Sequence, residues 1–372
     1  MNSVPQRVWR IVHSEASLGW GGQERRVLAE LLGFAGRGHA VGLVAPARAR
    51  IFSEAVQQDW PRTTLAEPRW AFPFAVVRTA RWLRAFRADV VNTHSSRDGW
   101  IVGLAARLAR TPLLLRSRHI DVDYPHRWIS RHAFTTLADQ VLTTSGKITE
   151  HLRTRFALPA EHVTTVPTGI DLGRFHPGAT PAVLPSPAGE GQWPTVGMVS
   201  VLRSWKGHAS FCAAARRLRE GGRKIRFVVV GGGAPVANFQ AMARAAGAEH
   251  HVTFIGHRED VPEVLRSLAV LVIPSTRHEG IPQIGLQALA CETPVVGSDC
   301  GGIPEVIRPG ETGRIFPAGA EAALATCLAE ALDWPAETRR LAVAGRRFAE
   351  SAHSLDAMLD RLEEIYRRHL PG

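Results

Sequence analysis

The residues from 277 to 307 combine the residue types and the spacing that phosphate binding requires. The stretch reads RHEGIPQIGLQALACETPVVGSDCGGIPEVI, with Glu279-Gly280 near its start and Gly301-Gly302 near its end. Between them the pattern predicts a helical segment and then a buried strand from Pro294 to Gly297. A helix that begins beside glycine offers free backbone N–H groups and a partial positive charge. The stretch therefore predicts a phosphate site at one edge of an α/β unit.

Two cations follow a second predicted strand, Thr195 to Val201, in the sequence SVLRSWKGH. In an open α/β sheet the loop after a strand faces the ligand crevice, and Arg203 and Lys206 fall in that loop. A forked guanidinium and a point charge are suited to clamp a diphosphate, and the alternative is two solvated surface charges. Gly231-Gly232-Gly233 resembles a dinucleotide loop but lacks the GxGxxG spacing, so on its own a tight turn is the favoured interpretation there.

Length and composition favour a globular protein of two domains. The chain has 372 residues, 45% of them hydrophobic, and a mean hydropathy of -0.06. No apolar run is as long as a membrane span, and Arg7 and Arg10 interrupt the apolar segment near the N-terminus, so we expect no secretory signal. The four cysteines form no CxxC pair. We therefore expect reduced thiols and a cytoplasmic location rather than disulfides or a metal site.

The positive charge is concentrated in the first half of the chain. Residues 1–177 hold 24 Lys+Arg against 14 Asp+Glu, and residues 178–372 hold 21 against 20, within a net charge of +11. A codon-biased genome explains why only three of the 45 basic residues are lysine, but it does not explain the difference between the halves. The asymmetry indicates an anionic partner or an anionic membrane surface for the first half.

Both halves of the chain alternate short strands with helices. In the first half the pattern predicts a helix at Gln23 to Gly36. It also predicts five strands there, at Val8 to His13, Ala40 to Val44, Val90 to Thr93, Leu113 to Arg116 and Val141 to Thr143. In the second half it predicts two more helical segments, at Ala209 to Glu220 and Pro335 to Leu370. It also predicts three more strands there, at Arg226 to Val230, Val252 to Ile255 and Val270 to Ile273. Such alternation is typical of parallel α/β sheets with helices on both faces.

A proline-rich segment separates the two halves. The residues from 176 to 194, HPGATPAVLPSPAGEGQWP, hold five prolines without periodicity, which is typical of a linker. We expect an N-terminal domain over 1–177, a linker over 178–194, a C-terminal domain over 195–349 and a final helix over 350–372.

The segment from Arg69 to Arg87, RWAFPFAVVRTARWLRAFR, interleaves arginines with aromatic residues. A basic amphipathic helix of this kind can lie on an anionic membrane. The alternative is an ordinary surface helix that packs its aromatic face on the sheet. We expect no nucleic-acid partner, because no stacking motif or zinc spacing accompanies the basic residues.

A series of motifs occurs in the order found in one enzyme family. They are GGQE at 21–24, RGHAVGLV at 37–44, DVVNTH at 89–94, His119, ADQVLTTS at 138–145, VPTGIDLGRF at 166–175, SVLRSWKGH at 200–208, VVVGGG at 228–233, VTFIGH at 252–257 and the 277–307 stretch. Together they resemble family 4 of the nucleotide-sugar glycosyltransferases, of the bacterial cell-surface polysaccharide type. The resemblance covers nearly the whole chain, from about residue 7 to 365.

The resemblance implies an α/β protein of the GT-B fold, with two Rossmann-like domains that face each other across a cleft. The final helix is expected to cross back to the N-terminal domain. The C-terminal domain holds the nucleotide-sugar donor in this family and the N-terminal domain holds the acceptor. Family members retain the anomeric configuration and usually need no metal, so we expect no cofactor.

Carried over by position, the resemblance assigns four catalytic residues. Arg203 and Lys206 match the pair that neutralises the donor diphosphate, Glu279 matches an acid that touches the sugar hydroxyls, and His119 matches a histidine near the reacting sugar. A lone histidine is otherwise more often structural. Donor binding is expected at Gly21, Gly22, Gly256, His257, Gly280, Ile281, Pro282, Gln283, Ile284 and Gln287.

Gln287 departs from the family pattern, which has a second acid at this position. That acid accepts hydrogen bonds from the ribose hydroxyls. Glutamine keeps one carbonyl acceptor but loses the charge, and a charged acceptor is worth about 1 kcal/mol more than a neutral one. We expect altered nucleotide contact here without loss of catalysis.

The predicted function is retaining transfer of a sugar from a nucleoside-diphosphate sugar to a hydroxyl of a glycan or lipid-linked acceptor. Polysaccharide or lipopolysaccharide biosynthesis at the inner membrane face suits the basic first half. One alternative is a nucleotide-sugar 2-epimerase of the same fold, and another is a sugar-nucleotide-binding protein without transferase activity.

Overall fold

The computed structural model describes residues 7–65, 71–122, 127–186, 189–190, 192–233 and 235–370. Two compact units account for the chain. The first unit comprises Met1–Gly169 together with Leu355–Gly372, and the second comprises Ile170–Ser354. Among the described residues, no helix is both long enough and apolar enough to span a bilayer.

The first unit is a parallel sheet flanked by helices. Its strands are β1 (Arg10–Ser14), β2 (Ala40–Ala45), β3 (Arg62–Thr64), β4 (Val90–Thr93), β5 (Leu113–Arg118), β6 (Gln140–Thr143) and β7 (Val163–Thr165). Its helices are α1 (Gly22–Gly36), α2 (Arg50–Gln57), α3 (Phe72–Phe86), α4 (Ser96–Ala109), α5 (Arg127–Thr135), α6 (Gly146–Phe156) and the C-terminal α14 (Leu355–His369). The strand order is β3-β2-β1-β4-β5-β6-β7, and all of these pairings are parallel.

Helix α14 belongs to the core of the first unit. Its apolar face places Leu359 and Tyr366 in the same buried cluster as Trp9. The rings of Trp9 and Tyr366 meet edge to face, with their centroids 5.5 Å apart. Gly33 of α1 permits close approach, because a Cβ built there would lie 2.4 Å from Leu359. Removal of α14 would therefore expose a large apolar surface of this unit.

The second unit repeats the same architecture around a smaller sheet. Its strands are β8 (Thr195–Val199), β9 (Arg226–Val230), β10 (Val252–Gly256), β11 (Val270–Ile273), β12 (Val295–Ser298) and β13 (Arg314–Phe316). Its helices are α7 (His208–Glu220), α8 (Val236–Ala245), α9 (Val261–Arg266), α10 (Gln283–Ala290), α11 (Ile303–Val306), α12 (Glu321–Asp333) and α13 (Pro335–Ala352). The strand order is β10-β9-β8-β11-β12-β13, again with parallel pairing.

The expected strands are present with small shifts of their ends. Strands β4, β9 and β11 have the predicted bounds, whereas β1 begins at Arg10, where its pairing with β2 starts. The helical tail is divided into α13 and α14 at His353 and Ser354. The pattern did not predict β3, β7 and β13, which are three-residue strands at sheet edges. A short edge strand needs no continuous apolar run, so it leaves little signal.

Most aromatic residues of the basic segment face the protein. Arg69 and Trp70 lie outside the described residues, and Phe72 to Phe86 forms α3. Trp82 and Phe86 stack on each other at 5.4 Å and pack against the core. These two residues therefore follow the surface-helix interpretation, and Phe74 is an exception because it is 73% exposed.

Candidate active site

The loops after three neighbouring strands of the second unit meet at one edge of its sheet. Strands β8, β11 and β12 are adjacent and parallel, so their carboxyl ends lie side by side. The β8 loop carries Arg203 and Lys206, and the β11 loop carries Ser275 and Glu279. In open α/β sheets this edge is where ligands bind.

Lys206 and Glu279 form a largely buried ion pair in this edge. The Nζ atom of Lys206 lies 3.0 Å and 2.8 Å from the two carboxylate oxygens of Glu279. The hydroxyl of Ser275 donates to the same carboxylate at 2.6 Å. The side chain of Glu279 is 8% exposed and that of Lys206 is 20% exposed. The structure thus brings together the residues predicted for the diphosphate and for the sugar.

Two glycines allow the loops to approach this closely. Gly207 has a φ of 81°, and a Cβ there would lie 1.7 Å from the carbonyl oxygen of Pro274. Gly301 has a φ of 57°, and a Cβ there would lie 2.0 Å from the carbonyl oxygen of Glu279. Any larger residue would combine backbone strain with a collision at these positions.

Arg203 stands at the solvent side of the same loop. Its side chain is exposed, and its guanidinium lies 5.6 Å from the centre of the Trp205 ring. The described residues offer Arg203 no ion-pair partner. Trp205 is itself anchored, because its carbonyl accepts a 2.8 Å hydrogen bond from the N–H of Thr276. A stacked cation beside a buried ion pair is a suitable receptor for a doubly charged phosphate group.

The start of α10 supplies neutral donors beside the ion pair. Pro282 caps the helix and carries no N–H, while the N–H of Gly285 already donates to its carbonyl at 2.9 Å. Among the described residues the N–H groups of Gln283 and Ile284 have no acceptor, and the same is true of Gly280 and Ile281. These donors and the helix dipole favour a bound anion.

Gln287 lies one turn further along α10. Its side chain is half-buried and makes no hydrogen bond to the described residues. Its amide is therefore available to a ligand, but it brings no negative charge.

The loop after β10 offers backbone rather than side-chain contacts. Gly256 has a φ of 86°, and its carbonyl accepts a 2.8 Å hydrogen bond from the N–H of Gly231. The exposed ring of His257 pairs with Glu259 at 2.8 Å. The side chain of His257 is thus occupied within its own loop.

The predicted glycine loop of the first unit has a defined capping role. The N–H of Gly21 donates to the carboxylate of Glu24 at 2.8 Å, and α1 starts at Gly22. Gln23 donates to Glu15, which is fully buried at the end of β1. Burial, followed by the nearby Asp98, raises the pKa of Glu15 to about 8. Glu15 therefore binds a proton at neutral pH, a property that sequence reasoning missed.

His119 is part of a buried row of three histidines. Nε2 of His119 lies 2.8 Å from Nδ1 of His94, and Nε2 of His94 lies 2.8 Å from Nδ1 of His13. Burial lowers the pKa of His13 and lowers the pKa values of His94 and His119 well below the ordinary range. The three imidazoles are therefore neutral near pH 7.

Sequence reasoning singled out His119 but gave His13 and His94 no role of their own. Each histidine lies in or directly after one of three adjacent strands, β1, β4 and β5. A histidine at the end of several neighbouring parallel strands is the signal that identifies such a row, and it requires the strand order. His119, Gly21 and Gly22 belong to the first unit, whereas Lys206 and Glu279 belong to the second.

Models of two glycosyltransferase families match the chain in succession. Residues 20–174 match Glycosyltransferase Family 4, and residues 187–348 match Glycosyl transferases group 1. An alpha-maltose-1-phosphate synthase of Mycolicibacterium smegmatis is 30% identical over 316 residues, which covers 76% of this chain and 79% of that protein. The chain belongs to glycosyltransferase family 4, and glycosyl transfer is its class of reaction.

Two further comparisons extend this picture. A GDP-mannose-dependent alpha-(1-6)-phosphatidylinositol monomannoside mannosyltransferase of Mycobacterium tuberculosis is 27% identical, over 79% of this chain and 80% of that protein. A crystal structure of Anabaena HepE in complex with UDP has a TM-score of 0.81 at 18% identity, over 96% of this chain and 100% of that chain. The α/β class and the two Rossmann-like units of the GT-B fold are confirmed.

Proposed function

We propose that the protein is a retaining glycosyltransferase that moves a sugar from a nucleoside-diphosphate sugar to a hydroxyl of a glycan or lipid-linked acceptor. The observation that carries the proposal is the ion pair of Lys206 and Glu279 beside the unused amides at the start of α10. A diphosphate needs cations and N–H donors, and a sugar needs a carboxylate that accepts from hydroxyls. Both sets of groups are held within one sheet edge.

The proposed reaction is a front-face displacement on the donor sugar. The bond between the anomeric carbon and the diphosphate oxygen breaks, and a bond from the acceptor oxygen to the same carbon forms on the same face. The acceptor proton passes to an oxygen of the departing diphosphate. Lys206 and Arg203 stabilise the negative charge that develops on this leaving group. This scheme uses no metal and no cofactor, because the two cations neutralise the diphosphate.

The relatives support a nucleotide-sugar donor of either purine or pyrimidine type. The mycobacterial relative is named for GDP-mannose, and Anabaena HepE was crystallised with UDP. We propose that Gly256 and His257 border the base through their backbone and that Gln287 contacts the ribose. Gln287 has no partner among the described residues, which leaves its carbonyl ready to accept from a hydroxyl.

The basic first unit supports an anionic or lipid-linked acceptor and peripheral binding to an anionic membrane. The exposed face of α3 carries Phe74 and Val77, followed by Arg78, Arg81 and Arg84. Arg78 and Arg84 also donate to backbone carbonyls of Thr64 and Leu108, so their charges are held at the surface. Apolar side chains next to arginines suit insertion into a negatively charged interface. A role in polysaccharide or lipopolysaccharide biosynthesis is part of this proposal.

Substitution of the cations tests the donor site. In Lys206→Ala and in Arg203→Ala, kcat/KM for the best nucleotide sugar should fall by about 100-fold each, since each removes charge from the leaving group. Lys224→Ala is the matched control, because Lys224 is an exposed lysine of the same unit. Unchanged kcat/KM in both site variants would contradict the assignment.

Product analysis separates transfer from the two alternatives. A panel of nucleotide sugars is first screened by thermal shift, because ligand that binds the folded state raises the melting temperature. The best donor is then incubated with and without acceptors. Release of nucleoside diphosphate with glycoside formation supports the proposal. A C2 epimer without acceptor identifies an epimerase, and binding without any turnover identifies a binding protein.

Vesicle sedimentation tests the membrane proposal. The protein should sediment with vesicles that contain anionic lipid and should remain in the supernatant with neutral vesicles, with the difference shrinking at high salt. Phe74→Ser should weaken binding about tenfold, since it removes an exposed apolar anchor. Equal sedimentation with both vesicle types would remove the electrostatic argument.

A further inference from the structure

The three histidines form a diagonal across neighbouring strands of the first unit. The register of β1 and β4 pairs His13 with Asn92, and His94 lies two residues further along. The register of β4 and β5, continued by one residue, places His119 two residues beyond the residue opposite His94. Because side chains alternate between faces with a period of two, both steps stay on one face and lead toward the carboxyl edge. Their exposure accordingly rises from 0% to 1% to 8%.

The contacts between the rings are in-plane hydrogen bonds. The centroids of His13 and His94 are 5.0 Å apart and their planes differ by 16°, while the bonded nitrogens are 2.8 Å apart. His94 and His119 repeat this arrangement with 5.1 Å, 26° and 2.8 Å. The nitrogens therefore lie between the rings and point at each other, as an N–H and a lone pair do.

Glu30 sets the direction of these hydrogen bonds. One carboxylate oxygen of Glu30 accepts from Arg26 at 2.7 Å, and the other lies 3.7 Å from Nδ1 of His13 and has no hydrogen-bond partner in the described residues. Nε2 of His13 is likewise buried without a partner. A proton on Nδ1 points at Nε2 of His94 and lies near the carboxylate oxygen, whereas a proton on Nε2 would be a buried donor without acceptor. His13 therefore donates to His94, and His94 in turn donates to His119.

His119, at the outer end of the row, has one N–H group left to donate. Since Nε2 of His119 accepts from His94, a neutral His119 carries its proton on Nδ1. That nitrogen has no hydrogen-bond partner among the described residues. It is also not fully buried, so a ligand can reach it. Burial and the charge of Arg26, followed by that of Arg118, lower the pKa of His119 well below its ordinary range. His119 thus offers a neutral N–H at the carboxyl edge of the sheet.

We propose that His13 and His94 are positioning residues, which together with Glu30 hold His119 as the Nδ1–H tautomer so that it donates to an oxygen of the sugar substrate. This inference rests on the proposed function, because it needs a sugar substrate to accept the hydrogen bond of His119. The charged groups that face the row are Glu30, Arg26, Arg118 and Asp98, and Tyr366 lies near Glu30.

A bound metal ion is a poorer account of the same residues. Zinc holds imidazole nitrogens at about 2.0 Å in tetrahedral geometry, so two ligand nitrogens lie about 3.3 Å apart with lone pairs that converge on the ion. The nitrogens of His13 and His94 are 2.8 Å apart and point at each other. Their geometry is that of donor and acceptor.

Nitrogen-15 NMR of histidine-labelled protein tests the tautomer without any substrate. His119 should show a protonated Nδ1 and an unprotonated Nε2 at pH 7.5, and His119→Gln assigns its signals. In His94→Leu the Nδ1–H form should give way to a mixture of tautomers. Protonation of His119 at Nε2, or at both nitrogens, would overturn the proposal. Loss of the pattern on treatment with a chelator would assign the row to a metal.

A double-mutant cycle tests the positioning role in catalysis. We expect His94→Leu to lower kcat/KM about tenfold in the wild-type background and less than twofold in the His119→Ala background, because His94 acts through His119. His94→Asn keeps a donor toward Nε2 of His119 and should restore most of the loss. An equal tenfold effect in both backgrounds would show that His94 acts on the fold alone.

A buried histidine outside the row serves as the control. His39 is 6% exposed, and its Nδ1 accepts from the N–H of Trp9 at 3.2 Å. His39→Leu should lower the melting temperature while kcat/KM of the folded protein changes less than twofold. If no nucleotide sugar is turned over at all, the proposed function fails, and the NMR measurement on the wild-type protein still decides the tautomer.

Discussion

The polar site of the first unit is built from neutral groups, whereas that of the second unit is built from ions. His13, His94 and His119 are buried and their pKa values are lowered, so the row carries no charge near pH 7. Lys206 and Glu279 form an ion pair, and Ser275 adds a third polar contact. Both sites lie at the carboxyl edge of a parallel sheet.

The difference shows what each kind of site can do. In a chain of neutral, hydrogen-bonded imidazoles, the nitrogen that carries the proton on one ring determines which nitrogen carries it on the next ring. An ion pair at a partly open edge keeps a cation near solvent, and the proposed diphosphate would lie between this cation, Lys206, and the exposed Arg203. In the proposed reaction, one unit orients a hydrogen-bond donor and the other neutralises the leaving group.

The largest effect should follow from removing the carboxylate of the second unit. Glu279→Leu leaves Lys206 half-buried without its counter-ion and takes away an acceptor for sugar hydroxyls. We expect kcat/KM to fall by about 100-fold to 1000-fold. Glu330→Leu is the control, because it breaks a 3.6 Å ion pair with Arg314 in the same unit. Comparable losses in both variants would mean that the pair at Glu279 is structural.

The next effect concerns the backbone that brings the ionic site together. Gly207→Ala should reduce the free energy of unfolding of the second unit by about 3 kcal/mol, because it adds a collision with Pro274 to the strain of a positive φ. Gly222→Ala isolates the strain, since Gly222 has a φ of 83° and a Cβ at that position would meet no other atom within 4 Å. It should cost about 1 kcal/mol. If urea unfolding gave equal losses of unfolding free energy for Gly207→Ala and Gly222→Ala, the predicted collision with Pro274 would be contradicted.

Acid should destabilise the first unit more steeply than the second. A histidine with a lowered pKa binds its proton less readily when folded, so the free energy of unfolding falls as the pH falls below 6.5, by up to about 1.4 kcal/mol per pH unit for each histidine. The first unit holds the row of three and His39, and the second holds His251 and His208, whose pKa burial lowers to about 4. Glu15 acts in the opposite sense, because its raised pKa of about 8 stabilises the folded state as the pH falls from 8 to 4.5.

Hydrogen exchange measures this difference strand by strand. Between pH 6.5 and 5.5 the protection of β1 and β5 amides, corrected for intrinsic rates, should fall more steeply than that of β8 and β11 amides. Equal slopes in the two units would show that the row does not remain neutral.

The smallest effect should come from restoring the missing acid. Gln287→Glu supplies a charged acceptor where glutamine supplies a neutral one, so the Kd for the nucleoside diphosphate should fall about fivefold. Calorimetric titration with the diphosphate measures the change. Glu311→Gln is the control, because it makes the opposite exchange at an exposed acid of the same unit and should leave this Kd unchanged. Weaker binding in Gln287→Glu would place position 287 near a phosphate instead of a ribose.

The sequence anticipated the second site better than the first. Arg203, Lys206 and Glu279 are charged residues in loops that each follow a predicted strand and contain a glycine, and the sequence pattern alone places such loops at one sheet edge. The direct contact of Lys206 with Glu279 spans 73 residues of chain and could not be predicted from spacing. The hydrogen bond from Ser275 to Glu279 and the free amides at the start of α10 could not be predicted either, because they depend on how the loop folds and where the helix begins.

The amino-acid sequence by itself determined the alternating strands and helices, the family, and the cations of the proposed donor site, because periodicity, motif order and charge can be read along the chain. Tertiary structure alone decided that His13, His94 and His119 form a row. Their alignment depends on the strand order β1-β4-β5 and on a register offset of two residues at each step. It also decided their neutrality, because the pKa of a histidine is set by the burial and the charges that the fold places around it.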